Sequence, residues 1–203
     1  MKNMEMEYRK LIAAVNAIIV VYGPLDVFEI AEKMEFYFPE LKKYDDWLEE
    51  IVQTMEQQDK ISEKDGRYCM IPFEQYEELM KFLSNYNIQF AKKEKIFDKD
   101  ELLRYGDPYH LEGKPEYDDI VAFTEKLRVS KKRKTEIRDV IITAAIGILD
   151  IEDFISNVLN GEYRLNVNER EVMEVMENFM AHFPRGFLGG YSLDEARQLM
   201  ENV

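Results

Sequence analysis

Lys60-Ile61-Ser62-Glu63-Lys64-Asp65-Gly66-Arg67-Tyr68-Cys69-Met70-Ile71 is the stretch that decides the fold of the N-terminal half. Asp65-Gly66 favours the positive φ angles of a tight turn, and Ile61, Tyr68 and Met70 supply apolar side chains to the strands it would join. Cys69 falls on the second strand, where a small buried thiol is the ordinary finding. No basic cluster or histidine beside it would lower its pKa and make it reactive.

Three helical segments precede this hairpin. The first spans Glu5 to Val21 and carries Tyr8, Leu11, Ile12, Val15, Ile18 and Ile19 at steps of three and four, which is one helix face. Tyr22-Gly23-Pro24 closes it, because glycine adopts the terminating conformation and proline cannot continue the helix. Asp26 then caps a short helix, Val27 to Met34. Glu29 completes a capping box, and Val27, Ile30, Ala31 and Met34 form the buried face. Phe36-Tyr37-Phe38-Pro39 breaks the period and reads as an aromatic corner, facing the core or, if exposed, forming a dimer contact. A third helix, from about Leu41 to Gln58, buries Leu41, Tyr44, Leu48, Ile51, Val52 and Met55. Helix–helix–helix–hairpin is the order of a winged helix, so the expected fold is mainly α with a winged-helix-like domain over residues 1–95.

Charge argues against the usual use of that module. In DNA-binding relatives of the fold the third helix enters the major groove, where contacts need cations or neutral donors. Here its outer face carries Asp45, Asp46, Glu49, Glu50 and Gln53. Through Met80 there are nine basic and eighteen acidic residues, a net charge of −9. The whole chain carries −14, which repels nucleic acid and anionic membranes and attracts basic partners.

Beyond the hairpin, Pro72 to Tyr86 reads as a helix with Phe73, Tyr76, Leu79, Met80 and Leu83 on one face, and Asn85 to Lys95 as an irregular or strand-like end to the first domain. The second domain, residues 96–203, is expected to be helical. Asp98 with Glu101 opens a short helix that stops at Gly106-Asp107-Pro108; Tyr109 to Glu116 reads as a loop and Tyr117 to Leu127 as a helix. Arg128, Lys131, Lys132, Arg133, Lys134 and Arg138 form the one basic stretch, against Glu136 alone. It reads as a solvated loop or, in a second reading, a nucleic-acid contact. The apolar run Ile137 to Leu149 that follows is expected to be the central buried helix of this half. Phe154, Ile155, Val158 and Leu159 extend the series. Asn166 or Asn168 caps a helix burying Val172, Val175, Met176, Phe179 and Phe183, and Ser192-Leu193-Asp194-Glu195 opens a last short one.

The chemistry of an enzyme is not visible. His110, His182 and Cys69 are far apart and lack ligand spacing, so no metal site is expected. Gly186, Gly189 and Gly190 lack the Gly-Lys-Ser/Thr ending of a phosphate loop and read as a turn. The row Glu171, Glu174, Glu177 reads as the solvated side of an amphipathic helix, and the helix dipole accounts for His182. A non-catalytic protein without cofactors is therefore expected. One cysteine allows no internal disulfide, and Met1 to Glu7 shows no signal peptide, which together point to the cytoplasm.

Pro184-Arg185-Gly186-Phe187-Leu188-Gly189-Gly190-Tyr191-Ser192-Leu193-Asp194-Glu195 resembles the tail motif Pro-x-x-Trp-x-x-x-Gly-Tyr/His-Ser/Thr-Pro-x-Glu. That motif belongs to uncharacterised proteins of low-GC Gram-positive bacteria and their mobile elements, some with a SEC-C motif. Tyr22-Gly23-Pro24-Leu25 and the small winged helix are similar to the start of those proteins. Phe187 stands where Trp is usual and Leu193 where Pro is usual, and the cysteines of a SEC-C metal site are absent. The resemblance implies a bacterial or phage origin and a two-part helical architecture, and it assigns no catalytic residues.

Three functions are compatible with these features. The first is a non-catalytic interaction or regulatory protein whose acidic winged helix contacts another, basic, protein. The second is a DNA-binding regulator acting through residues 128–138. The third is an acidic phage or plasmid inhibitor that presents carboxylates where phosphates would sit in a host defence enzyme. The oligomeric state stays open.

Overall fold

The computed structural model describes residues 2–41, 48–57, 61–70, 76–77, 81, 94–147 and 150–201. The chain is mainly helical with one small three-stranded sheet. It divides into two compact units, Met1–Pro108 with Pro184–Tyr191, and Tyr109–Phe183 with Ser192–Val203. Among the described residues no helix is long and apolar enough to cross a membrane.

The N-terminal unit is built around α1 (Lys2–Tyr22). From Ala14 to Tyr22 every residue except Asn16 is buried, so this helix is enclosed on nearly all sides rather than on one face. After it, β1 (Leu25–Asp26) leads directly into α2 (Val27–Tyr37). Asp26 Oδ1 accepts from the Glu29 amide at 2.8 Å, and Glu29 Oε2 accepts from the Asp26 amide at 2.9 Å. This is the capping box that the sequence predicts. α2 runs three residues past the expected Met34, and the Phe38 amide donates to the Met34 carbonyl at 2.8 Å. The aromatic corner therefore splits: Phe36 and Tyr37 are helical, Phe36 is exposed, and only Phe38 is buried at the turn.

α3 (Leu48–Gln57) buries Leu48, Ile51, Val52 and Met55. Leu41, where that helix is expected to begin, is half-buried, and residues 42–47, including Tyr44, Asp45 and Asp46, lie outside the described residues. So does most of the helix expected over Pro72 to Tyr86, with Phe73, Leu79, Met80 and Leu83, and the following segment through residue 93. The hairpin forms as read, from β2 (Ser62–Lys64) and β3 (Arg67–Cys69), with Asp65 at φ 53° and Gly66 at φ 75°. β3 is the middle strand. Leu25 of β1 lies opposite its Tyr68 on one side and Glu63 of β2 opposite Tyr68 on the other, both antiparallel.

α4 (Lys99–Arg104) is capped by Asp98, whose Oδ1 accepts from the Asp100 amide at 2.9 Å. The sequence assigns residues 96–108 to the second domain, but they group with the first. The contact is close: Asn16 Nδ2 donates to the Gly106 carbonyl at 2.6 Å, and a Cβ on Gly106 would sit 2.4 Å from the Ala13 carbonyl oxygen. Pro184–Tyr191 also belongs to this unit, where its turn Gly186–Leu188 packs on α1.

In the C-terminal unit α5 (Pro115–Glu125) starts at Pro115, two residues before the expected Tyr117, with proline in its first turn. α6 (Lys131–Ile146) begins immediately after Ser130, whose hydroxyl accepts from the Arg133 amide at 3.4 Å. The basic stretch is thus the first two turns of a helix from Lys131 onward, not a loop before one. α6 buries Ile137, Ile141, Ile142, Ala144, Ala145 and Ile146, but Thr143 is exposed, and residues 148–149 lie outside the described part. α5, α6 and α7 (Glu169–His182) pack on one another. Between α6 and α7 a single turn, Ile151–Asp153, passes into a π-helix, Phe154–Glu162, in which the Tyr163 amide donates to the Val158 carbonyl at 2.9 Å. Asn168 rather than Asn166 caps α7, and Ser192 with Glu195 forms the capping box of α8 (Leu193–Glu201).

Candidate functional site

The solvent face of α3 presents Glu49, Glu50, Gln53, Glu56 and Gln57, all exposed, behind the buried stripe. Two reasons place carboxylates here. Glu49 and Glu50 occupy the first turn, where negative charge complements the positive end of the helix dipole. Both also project to water, where they incur no desolvation penalty. The field of this face extends to the hairpin. Partial burial, reinforced by the carboxylates of Glu63, Glu56 and Glu49, raises the Tyr68 phenol above its ordinary pKa. Glu49 and Glu56 of α3 and Glu63 of β2 thus all act on the Tyr68 phenol. Asp45 and Asp46, the other two carboxylates expected on this face, lie outside the described residues.

The basic segment is differently disposed. Lys131 to Lys134 stand at the positive end of the α6 dipole, an unfavourable place for cations. Several are paired with groups of their own unit. Arg133 donates to the Tyr163 carbonyl at 2.8 Å and lies 5.8 Å from the centre of the Tyr163 ring. Lys134 pairs with Glu125 at 3.0 Å, Arg138 pairs with Asp139 at 3.3 Å, and Lys132 lies 3.8 Å from Glu136. Arg128, Lys131, Lys132 and Arg133 are exposed, and Lys134 and Arg138 are half-buried.

In the carboxylate row on α7, Glu171 pairs with Lys126 at 2.5 Å and Glu174 with Arg170 at 2.8 Å, and Glu177 is exposed. Among the described residues no group of three or more His, Cys, Asp or Glu side chains could hold a metal ion. Cys69 is buried. His182 Nδ1 donates to the Asn178 carbonyl at 2.8 Å, and its Nε2 lies 3.7 Å from Asp194.

Tyr22-Gly23-Pro24-Leu25 and residues 184–191 meet inside the N-terminal unit. Gly186 lies against Gly23 so closely that a Cβ on it would come within 1.8 Å of the Gly23 carbonyl oxygen. Gly190, at φ 87°, lies against Val21, Tyr22 and Phe97. The Lys95 amide donates to the Gly189 carbonyl at 2.9 Å. Arg185 of the same turn is fully enclosed, and burial lowers its guanidinium to about 10. In the sequence Gly186, Gly189 and Gly190 read as a plain turn, since a contact across so many residues has no local signal.

Two aromatic side chains on α2 are exposed, Phe28 and Phe36. Comparison of the chain with protein-family models, curated proteins and solved structures gives no match.

Proposed function

We propose that the protein is a non-catalytic interaction or regulatory protein whose N-terminal unit is an acidic winged helix. The order α1–β1–α2–α3–β2–β3, with β1 pairing onto the last strand, supports the winged-helix reading. One observation carries the functional one: the helix that would read bases in a DNA-binding relative exposes Glu49, Glu50 and Glu56 instead of cations. A phosphate backbone is repelled by that face, and a basic protein surface is attracted to it.

The pairing of Arg133, Lys134 and Arg138 within their own unit counts against the basic segment as a nucleic-acid contact. The likeness to the Gram-positive mobile-element family fits a bacterial setting for the partner.

The test is affinity capture from the cell that encodes the chain, with wild type and with Glu49→Lys/Glu50→Lys as baits, followed by titration with the purified captured protein. A partner that binds wild type and loses at least tenfold in affinity to the variant is the expected result. Binding of duplex DNA at low salt, abolished when Lys131, Lys132, Arg133 and Lys134 become Ala, would overturn the reading. So would turnover of a substrate by the purified chain.

A further inference from the structure

The α3 face and the start of α6 carry unbalanced charge of opposite sign. Glu49, Glu50 and Glu56 of α3 are exposed, and among the described residues none of them has a cation at ion-pair distance. Glu49 and Glu56 fall in line on the helix about 10 Å apart, with Glu50 about a quarter turn round. At the start of α6, Arg128 and Lys131 are exposed and have no carboxylate partner among the described residues. Lys132, with 89% of its side chain exposed, reaches Glu136 only at 3.8 Å.

The two places differ in how their charges meet the helix dipole. On α3 the first-turn carboxylates complement it, whereas Lys131 and Lys132 oppose the dipole of α6. Carboxylates brought to the start of α6 would meet both the cations and the positive end of that helix, so an acidic surface is the ligand this place favours. Three cations neutralise few phosphates, and affinity for nucleic acid rests on the number neutralised. A helix face with three carboxylates matches them in number, and the chain carries such a face itself. The net charge of −14 does not forbid contact between copies, because at about 0.1 M salt charges beyond about 10 Å are largely screened and the facing groups dominate.

We infer that the α3 face of one copy takes the start of α6 of a second copy, Glu49, Glu50 and Glu56 meeting Arg128, Lys131 and Lys132. This rests on the proposed acidic interaction module and makes its basic partner a second copy of the chain.

Sedimentation velocity of the full chain at about 0.1 M and about 1 M NaCl tests it. Wild type is expected to self-associate at the lower salt and to be monomeric at the higher. Glu49→Lys/Glu50→Lys brings the net charge from −14 to −10, and Lys131→Glu/Lys132→Glu brings it from −14 to −18. Each variant alone is expected to associate more weakly by about tenfold or more. The first should do so even though its smaller net charge would by itself favour association. Mixed in equal amounts, the two are expected to associate as wild type does, since each reversed face then meets a reversed partner. A chain with all four changes, again at −14, is expected to self-associate likewise. All the altered side chains are exposed, so circular-dichroism melts are expected to stay those of wild type.

A monomeric wild type at the lower salt overturns the inference. If affinity capture then still yields a basic protein that Glu49→Lys/Glu50→Lys loses, the interaction module stands without it. If the monomeric chain instead shifts duplex DNA through Lys131 and Lys132, both fall. Association that survives in either variant alone, or that does not return in the mixture, also overturns the inference. So does association that persists at the higher salt and is lost in Phe28→Ser/Phe36→Ser, which would make the exposed rings of α2 the contact.

Discussion

Tyr22 Oη and Tyr37 Oη lie 2.6 Å apart, at the centre of a directed chain of hydrogen bonds. The single hydroxyl hydrogen of Tyr22 goes to the Lys95 carbonyl at 2.7 Å, so Tyr37 must donate to Tyr22. Tyr37 in turn accepts from the Phe97 amide at 3.3 Å. The two phenols thus hold residues 95–97 at both ends against α1 and α2. The Lys33 ammonium stands 4.2 Å from the centre of the Tyr22 ring, and Phe97 meets the same ring edge-on at 6.1 Å. Tyr37→Phe removes the link in the middle while keeping the ring. It is expected to cost about 1 kcal/mol of stability. Hydrogen exchange should rise in a peptide spanning residues 94–98 and stay unchanged over α6 and α7. Unchanged exchange at 94–98 would show that the tyrosines do not hold the segment.

The same pair gives a pH dependence. Burial first, and then the hydrogen bond and charge interaction with Tyr37, raise the Tyr22 phenol well above its ordinary pKa. Tyr68 and Tyr76 shift in the same direction, each chiefly through burial. A phenol whose folded pKa exceeds its unfolded one favours the folded state fully below the unfolded value, about 10. That contribution is lost as pH rises from there toward the folded value. The urea midpoint of unfolding is therefore expected to fall above about pH 10, and to fall less steeply in Tyr22→Phe. A midpoint that stays flat through about pH 11 would contradict it.

Gly186 and Gly66 separate two reasons for glycine. A Cβ on Gly186 would lie 1.8 Å from the Gly23 carbonyl oxygen and 2.8 Å from the Gly23 carbonyl carbon. Both obstacles are backbone, so Gly186→Ala can be accommodated only by moving the turn off α1, at about 3 kcal/mol or more. Gly66 has φ 75° and open space within 4 Å of where a Cβ would stand, so Gly66→Ala meets only the strain of its positive φ, about 1 kcal/mol. Thermal melts of the two variants should rank in that order. Similar losses for both would mean that residues 184–191 are not seated on Gly23.

What could be read from sequence here was local. The Asp65-Gly66 turn and the caps at Asp26, Asp98 and Ser192 rest on groups within three residues of one another, and each appears where the pattern placed it. β1 could not be foreseen, because two residues show no alternation and its partner is β3. The start of α6 was hidden by its own charges. Cations in a first turn oppose the helix dipole, so Lys131 to Lys134 read as loop, and Ser130 lacks the Glu three residues on that would mark a capping box. The outer face of α3 was legible from periodicity, and Glu49, Glu50 and Gln53 are exposed as read. On α2 periodicity found Ile30 and Met34, but it could not tell exposed Phe36 from buried Phe38, which differ only in where the helix ends. The seating of Gly186 on Gly23 depends on chain packing alone.

Glu29 joins α2 to the sheet through one oxygen. Its Oε2 accepts from the Asp26 amide at 2.9 Å and from Arg67 Nη2 at 2.9 Å, while the same Arg67 nitrogen donates to the Pro24 carbonyl at 2.8 Å. The helix cap and the middle strand therefore share a carboxylate. Glu29→Ala is expected to lose about 1–2 kcal/mol, since it removes half the capping box and the ion pair together. Arg67→Ala should lose less, and the double variant less than the sum, with a coupling of about 0.5 kcal/mol or more. Both side chains are partly exposed, Arg67 at 44% and Glu29 at 40%, so salt must screen the coupling. A double-mutant cycle by urea denaturation at about 0.1 M and about 1 M NaCl checks both points. Additive losses, or a coupling unaffected by salt, would mean that Arg67 contributes through Pro24 alone and that Glu29 acts only as a cap.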